Sequence, residues 1–201
     1  MSVGGGAATN SGIDYQQRIA AFILAQMLSE SSSYSAIGLS EGILVDEVRF
    51  ETNNKIDDLV LITDNGRVLI QAKRTLSLSE SIESEYSSVL KQFIGQYIND
   101  NQTTDLFVLA TSSRSSQRIT KDLRKLTEAI RLNERGADEN PLTEAERDVL
   151  KKTHHLMNHH YQSETRSPIS DNDFKSILKR IRVSLIDIEE GAPLEGPFSL
   201  F

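Results

Sequence analysis

The chain has 201 residues, of which 38% are hydrophobic and 25% charged, with a net charge of −7 and no cysteine. This length fits one ordinary domain with a real core, and the lack of cysteine excludes disulfides, zinc–thiolate sites and thiol nucleophiles. The acidic balance argues against a dedicated high-affinity nucleic-acid binder, because phosphate contacts supply sequence-independent affinity. No secretory or membrane-spanning stretch is visible, so we expect a cytoplasmic protein without a membrane partner.

The two ends of the chain differ in composition from the rest. Residues 1–10 are rich in Gly and Ala and predict a flexible leader, whereas residues 189–201 are rich in Pro and Gly and predict a linker or a truncated end. Between them we predict a single domain over residues 11–188. Its core is expected at 11–135 and a helical extension at 142–181.

The first helix is predicted to start near Ser11 and to end near Leu28, because apolar residues recur there at helical spacing. A serine-rich loop then leads to a strand over residues 43–51. A short turn after that strand would place Glu47 on the same face as Asp58. Glu47 is therefore an additional candidate metal ligand.

The next stretch, residues 55–74, is predicted to form a β-hairpin. Two apolar runs flank Asn65-Gly66, a dipeptide typical of two-residue type I′ turns because both positions need a positive φ. Counting outward from this turn pairs Asp64 with Arg67, Ile62 with Leu69, Val60 with Gln71, and Asp58 with Lys73.

This register places Asp58, Gln71 and Lys73 on one face, at one end of the hairpin. The opposite face carries a core-facing apolar set, namely Leu59, Leu61, Ile70 and Ala72. The Asp58 carboxylate and the Gln71 amide oxygen are hard ligands that suit Mg²⁺, with Mn²⁺ as the alternative metal. Lys73 could stabilise phosphate charge or orient a metal-bound water. A bulge in the hairpin would bring Asp57 into the site instead of Asp58.

The segments after the hairpin predict a strand–helix–strand crossover. Ser77 and Glu80 form a capping box that opens a helix from about residue 79 to residue 99. Residues 105–111 then read as a buried central strand. A crossover of this kind implies parallel strands, and hence an α/β fold with a mixed central sheet flanked by helices.

Basic residues cluster at the next helix, on a face distinct from its apolar stripe. This set, here named the basic ridge, consists of Arg114, Arg118, Lys121 and Lys125. The basic ridge is a candidate surface for the phosphates of a nucleic acid. A docking face for another subunit or domain is the alternative.

The remaining segments are a helical region over 142–161, a short helix over 171–181 and an edge strand over 182–188. Sparse apolar positions predict that the first of these helices is peripheral. His155 and His159 stand one helical turn apart, yet no HExxH pattern or cysteine accompanies them. We therefore interpret them as solvated residues rather than as a metal site.

The hairpin sequences at residues 56–60 (IDDLV) and 69–73 (LIQAK) resemble the PD-(D/E)XK nuclease motif, with Gln71 in place of the acid. This variant and the opening at residues 12–16 (GIDYQ) are similar to the Mrr-like branch, especially to the nuclease domains of bacterial antiphage effectors. Those effectors include nucleases associated with cyclic-oligonucleotide signalling and CD-NTases, and nucleases fused to STAND NTPase sensors. The resemblance covers about residues 11–111.

The resemblance implies a restriction-endonuclease-like core and Mg²⁺-dependent hydrolysis of DNA. Asp58, Gln71 and the backbone carbonyl of Ala72 would hold the metal, and Lys73 would be catalytic. Supporting roles would fall to Asp57, Glu47, Gln16 and Gln92, and DNA contacts to Arg74, Arg114, Arg118, Lys121 and Lys125.

The resemblance further implies cleavage of double-stranded DNA by a defence effector that acts as a homo-oligomer. A sensor domain or activating partner is expected outside this chain. Two alternatives stay open. The first is a non-catalytic binding or oligomerisation module that keeps the nuclease fold, in which Gln71 marks lost metal affinity. The second is a nuclease that acts on RNA.

Overall fold

The computed structural model describes residues 5–29, 37, 39, 42–50, 54–56, 58–99, 104–132 and 142–188. Five strands form one sheet in chain order: β1 (Val45–Phe50), β2 (Leu59–Thr63), β3 (Gly66–Lys73), β4 (Leu106–Thr111) and β5 (Ile181–Leu185). The pairs β1–β2 and β2–β3 are antiparallel, whereas β4 runs parallel to β3 and β5 parallel to β4. The sheet is therefore mixed.

Helices flank this sheet and confirm the predicted α/β class. They are α1 (Gly5–Leu28), α2 (Glu85–Asn99), α3 (Arg124–Arg131), α4 (Glu144–Thr165) and α5 (Asp171–Arg180). A π-helical segment, Arg118–Leu123, leads directly into α3. Among the described residues, no helix is long and apolar enough to cross a membrane.

Alternation along β2 and β3 divides their side chains between two apolar layers. Val60 and Leu69 point to the layer that α2, α4 and α5 cover, where Phe93 and Phe107 stack with ring centroids 5.8 Å apart. Residues of the opposite face pack against α1, as predicted for Leu59, Leu61, Ile70 and Ala72. The sheet thus buries both of its faces.

The β2–β3 hairpin forms, but its predicted register was wrong by two residues. Thr63 pairs with Gly66, so the turn consists of Asp64 and Asn65. The Thr63 hydroxyl accepts from the Asn65 N–H at 3.2 Å and donates to the Gly66 carbonyl at 2.7 Å. The single positive φ of the hairpin, 130°, falls on Gly66, after the turn. A type I′ turn needs a positive φ at both turn residues, so the predicted turn type was also wrong. Continuing the observed register places Asp58 opposite Gln71 instead of Lys73.

Helix α2 begins six residues later than the sequence predicts. The capping box of Ser77 and Glu80 was wrong, because residues 76–81 form no helix. The Ser116 hydroxyl accepts from the Leu78 N–H at 3.3 Å and so holds this stretch from outside. Ser84 instead accepts from the Ser87 N–H at 3.2 Å, as an N-cap does.

The structure also revises the predictions for the ends of the domain. Helix α1 begins at Gly5, inside the expected leader, and the predicted linker at 189–201 lies outside the described residues. Helix α4 is not peripheral, since Val149, Leu156 and Met157 are fully buried in the main core. The predicted short helix and late edge strand are confirmed as α5 and β5.

Candidate active site

Asp58 lies immediately before β2, where its carboxylate reaches across to β3. The Oδ2 atom accepts two hydrogen bonds, from Gln71 Nε2 at 2.5 Å and from the backbone N–H of Ala72 at 2.7 Å. On the main-chain side, Gln16 of α1 donates from Nε2 to the Asp58 carbonyl at 2.8 Å. Helix α1 and strand β3 therefore fix both the backbone and the side chain of Asp58.

The Gln71 side chain is 2% exposed, and its Oε1 atom is buried without a hydrogen-bond partner among the described residues. A buried amide oxygen without a donor is unusual in a folded protein and requires a physical explanation. A cation is one explanation, because an amide oxygen beside a carboxylate is a donor set that Mg²⁺ or Mn²⁺ accepts. The residues present therefore fit the metal that the sequence resemblance implies.

The Ala72 carbonyl lies on the same side of β3 as the Ala72 N–H, because both groups of one strand residue point the same way. That N–H contacts Asp58, so the carbonyl is directed towards the same edge of β3. Lys73 follows on β3, on the face of Gln71 and roughly 6–7 Å further along. Lys73 is partly exposed.

Hydroxyl groups at the end of β4 anchor the end of β3 that carries Lys73, a feature that sequence reasoning missed. Thr111 donates from Oγ1 to the Lys73 carbonyl at 2.6 Å, and Ser112 donates from Oγ to the Arg74 carbonyl at 2.7 Å. Ser115 contacts Thr111 through their hydroxyls at 2.5 Å and accepts from the Leu76 N–H at 2.7 Å. The available signal was the run of Thr and Ser at 111–116, directly after a predicted buried strand.

The comparisons with known proteins return no match, whether to a family model, to a curated protein or to a solved structure. The site must therefore be interpreted from its own geometry and chemistry.

The predicted supporting residues have different positions. Gln16 reaches Asp58, as described above. Gln92 lies on α2, which packs over the face of the sheet that carries Gln71. The Oε1 atom of Gln92 is also buried without a hydrogen-bond partner among the residues that the structure describes. Asp57 lies outside the described residues.

Glu47 shares the Asp58 face of the sheet but not its position. It pairs with Ile62, four residues along β2 from Asp58, which is roughly 13 Å away at the usual strand rise. Its carboxylate is bound by the Arg49 guanidinium at 2.8 and 2.9 Å, and this hydrogen bonding lowers the pKa of Glu47. The structure does not bring Glu47 together with Asp58.

The basic ridge is partly neutralised. Arg118 pairs with Asp122 at 3.1 Å, and Lys125 lies 3.3 Å from the buried carboxylate of Glu146 at the start of α4. The π-helical segment also widens the helical turn, so the spacing expected for an α-helix does not continue across it. Arg114 and Lys121 are exposed, and Arg114 lies in the same loop that anchors Lys73 and Arg74.

The histidines of α4 do not gather into a metal site in the part of the chain that the structure describes. His155 and His159 are exposed, as interpreted from the sequence. His160 is buried, and its Nε2 lies 2.8 Å from the Ser87 hydroxyl of α2. Burial lowers the pKa of His160, and the nearby His159 and Lys91 lower it further.

Proposed function

We propose that the chain is a Mg²⁺-dependent endonuclease that hydrolyses double-stranded DNA, as the effector domain of a bacterial antiphage defence protein. The observation that carries the proposal is the contact between Asp58 and Gln71 near the end of β3 that also carries Lys73, with a Gln71 amide oxygen that is buried without a partner among the described residues. The resemblance of the two hairpin sequences to an Mrr-like nuclease motif supports the reaction and the biological setting. Activation by a partner or by homo-oligomerisation belongs to the same proposal.

Three oxygen donors would hold the metal: the Asp58 carboxylate, Gln71 Oε1 and the Ala72 carbonyl. Mg²⁺ keeps several waters and takes few protein ligands, so this number is sufficient. When bound, the metal would lower the pKa of a coordinated water and offset charge on the scissile phosphate. No histidine base or covalent nucleophile is then required.

The chain itself would supply position and charge. The Lys73 ammonium would stabilise negative charge on the phosphate or orient the attacking water. Thr111 and Ser112 hold the backbone of Lys73 and Arg74, so the cation reaches the substrate from a fixed strand end. The exposed Arg114 and Lys121 would contact flanking phosphates, which fix the position of DNA without reading its sequence.

A non-catalytic module with the same fold is the second candidate, and one observation favours it. Asp58 Oδ2 already accepts two hydrogen bonds from the protein itself. Gln71 also supplies no negative charge, and no group of three or more acidic or histidine side chains is gathered to hold a metal in the described residues. In this reading the amide–carboxylate pair is a structural contact.

The test compares matched DNA and RNA duplexes of one sequence, incubated with the protein in Mg²⁺ and in EDTA. We expect Mg²⁺-dependent cleavage of DNA at raised protein concentration, where assembly is favoured. Asp58→Asn should abolish cleavage, and Asp64→Asn at the exposed hairpin tip should not. Cleavage of RNA alone would move the substrate to RNA. Absence of cleavage, together with no Mg²⁺ binding by calorimetry, would favour the non-catalytic module.

A further inference from the structure

A second polar pocket lies at the opposite end of β3 from the candidate active site. It has a volume of about 190 Å³ and is lined by the start of β3, the residues before β4, and β5. Gly66 in this pocket and Lys73 in the active site are seven residues apart on one strand, roughly 23 Å at the usual rise. The two sites are therefore separate.

The charged residues among the described lining of this pocket are both cationic. They are Arg67 and Arg182, and no acidic residue is among the described residues that line the pocket. Apolar side chains form much of the remaining wall, namely Leu39, Ile43, Val68 and Leu106. The lining therefore combines two guanidinium groups with an apolar surface, in a protein whose net charge is −7.

Arg67 is already committed to a protein partner. Its Nε and Nη2 atoms donate to the two carboxylate oxygens of Asp105 at 2.9 and 2.6 Å, and the Asp105 side chain is fully buried. This two-bond geometry is the strong form of an arginine–carboxylate contact. Arg67 is thus a fixed positive wall of the pocket.

Arg182 differs from Arg67 in how its donors are used. Nη1 donates to Glu128 at 3.1 Å, while Nε is buried and has no hydrogen-bond partner among the described residues. The Nε edge is the edge that Arg67 uses for its carboxylate. Burial lowers the pKa of Arg182, the nearby Arg131 lowers it further, and Glu128 raises it.

We propose that this pocket is a binding site for a small oxyanion, a phosphate or carboxylate group, held by the guanidinium group of Arg182. A buried donor without an acceptor is unfavourable, and an oxyanion would supply the missing acceptor in the geometry that guanidinium prefers. The volume equals roughly six water molecules at about 30 Å³ each, which admits the oxyanion and a few carbon atoms. The site does not depend on the proposed nuclease function.

The experiment is a titration of the ¹⁵N-labelled protein with inorganic phosphate and, separately, with acetate, at constant ionic strength and in EDTA. We expect one of the two anions to shift the Arg182 Nε–H and Gly66 amide resonances in a saturable way, and the anion that does so identifies the group. Chloride at equal ionic strength should not. If neither anion shifts these resonances in a saturable way, the proposal is overturned.

Two variants of Arg182 test whether this residue, and not another cationic side chain, binds the anion. Arg182→Lys keeps the charge next to Glu128 but loses the planar fork, and Arg182→Gln loses both. Each should weaken binding about tenfold or more. Glu128 also pairs with Arg131, so neither variant leaves that carboxylate unpaired. Arg147→Gln, at an exposed position on α4, should bind as wild type does. Unchanged affinity in both Arg182 variants would contradict the assignment.

Discussion

At the scale of single residues, Gln71 decides how the candidate active site behaves. It donates to Asp58 through its amide nitrogen, whereas its amide oxygen is buried without a partner in the described part of the chain. Its neutral side chain avoids the repulsion that a second carboxylate would face beside Asp58 in a metal-free protein. The cost is that the proposed metal site would carry less negative charge.

Gln71→Glu tests this account through stability. Without metal, the variant should lose about 2 kcal/mol of unfolding free energy, because a hydrogen bond to the Asp58 carboxylate is replaced by a second negative charge. Mg²⁺ should restore stability by binding the folded form. Thermal and urea unfolding in EDTA and in Mg²⁺ measure both effects, with Gln17→Glu on the exposed side of α1 as the control. No response of Gln71→Glu to Mg²⁺ would contradict a metal site here.

The lowered pKa of His160 predicts how the stability of the fold changes with pH. Burial, His159 and Lys91 lower its pKa, whereas the pKa of an unfolded histidine is about 6.5. As pH falls through that value, the unfolded chain binds a proton more readily than the folded chain, so stability decreases. Between about pH 7.5 and about pH 5.5, His160→Gln should lose less stability than wild type. His155→Gln, exposed on the same helix, should follow wild type; if His160→Gln does so too, the buried imidazole is not the cause.

At the scale of elements, the hairpin shows what the sequence could and could not predict. The predicted register was displaced by two residues, and a shift of two preserves which face each side chain occupies. Asp58 and Gln71 therefore meet although their predicted partners, Lys73 and Val60, were wrong. The exact turn depends on the Thr63 hydroxyl and on Gly66, which no pattern of apolar residues reveals.

Gly66→Ala tests the observed turn. The φ of 130° disfavours any side chain, and an added Cβ would lie 2.5 Å from the Thr104 hydroxyl oxygen. We expect a loss of roughly 1–3 kcal/mol in unfolding free energy, measured by urea denaturation. Thr104→Gly in the same chain should recover part of it. Gly12→Ala, where nothing lies within 4 Å, should be neutral or stabilising; equal effects at the two glycines would contradict the turn described here.

Long-range contacts explain the remaining differences between sequence and structure. The start of α2 could not be predicted, because the stretch before it is held by Ser115 and Ser116 from another loop. The burial of α4 depends on a few apolar residues and on a Ser87–His160 hydrogen bond between residues 73 positions apart. Local periodicity carries no information about either contact. It did identify β4, which has a continuous apolar run, and α5 and β5, whose apolar residues follow the local spacing of a helix and a strand.

At the scale of the whole molecule, the mixed sheet separates two polar sites at the two ends of β3. The parallel pair β3 and β4 ends at Lys73 and Thr111, and ligands of open α/β sheets bind beyond the carboxyl ends of such strands. The proposed oxyanion pocket lies at the other end, beside Gly66 and Arg182. The rigid strand between the two ends is well suited to keep the sites apart.

The most direct test of the proposed nuclease is plasmid DNA cleavage by wild type, Lys73→Ala and the matched control Lys151→Ala, with Mg²⁺ and with EDTA. All three proteins must first show the same circular dichroism and unfolding temperature. The account predicts Mg²⁺-dependent cleavage by wild type and by Lys151→Ala, and a loss of about 100-fold or more in Lys73→Ala, the scale of removing one stabilising charge. Full cleavage by Lys73→Ala, or cleavage that persists in EDTA, would contradict it.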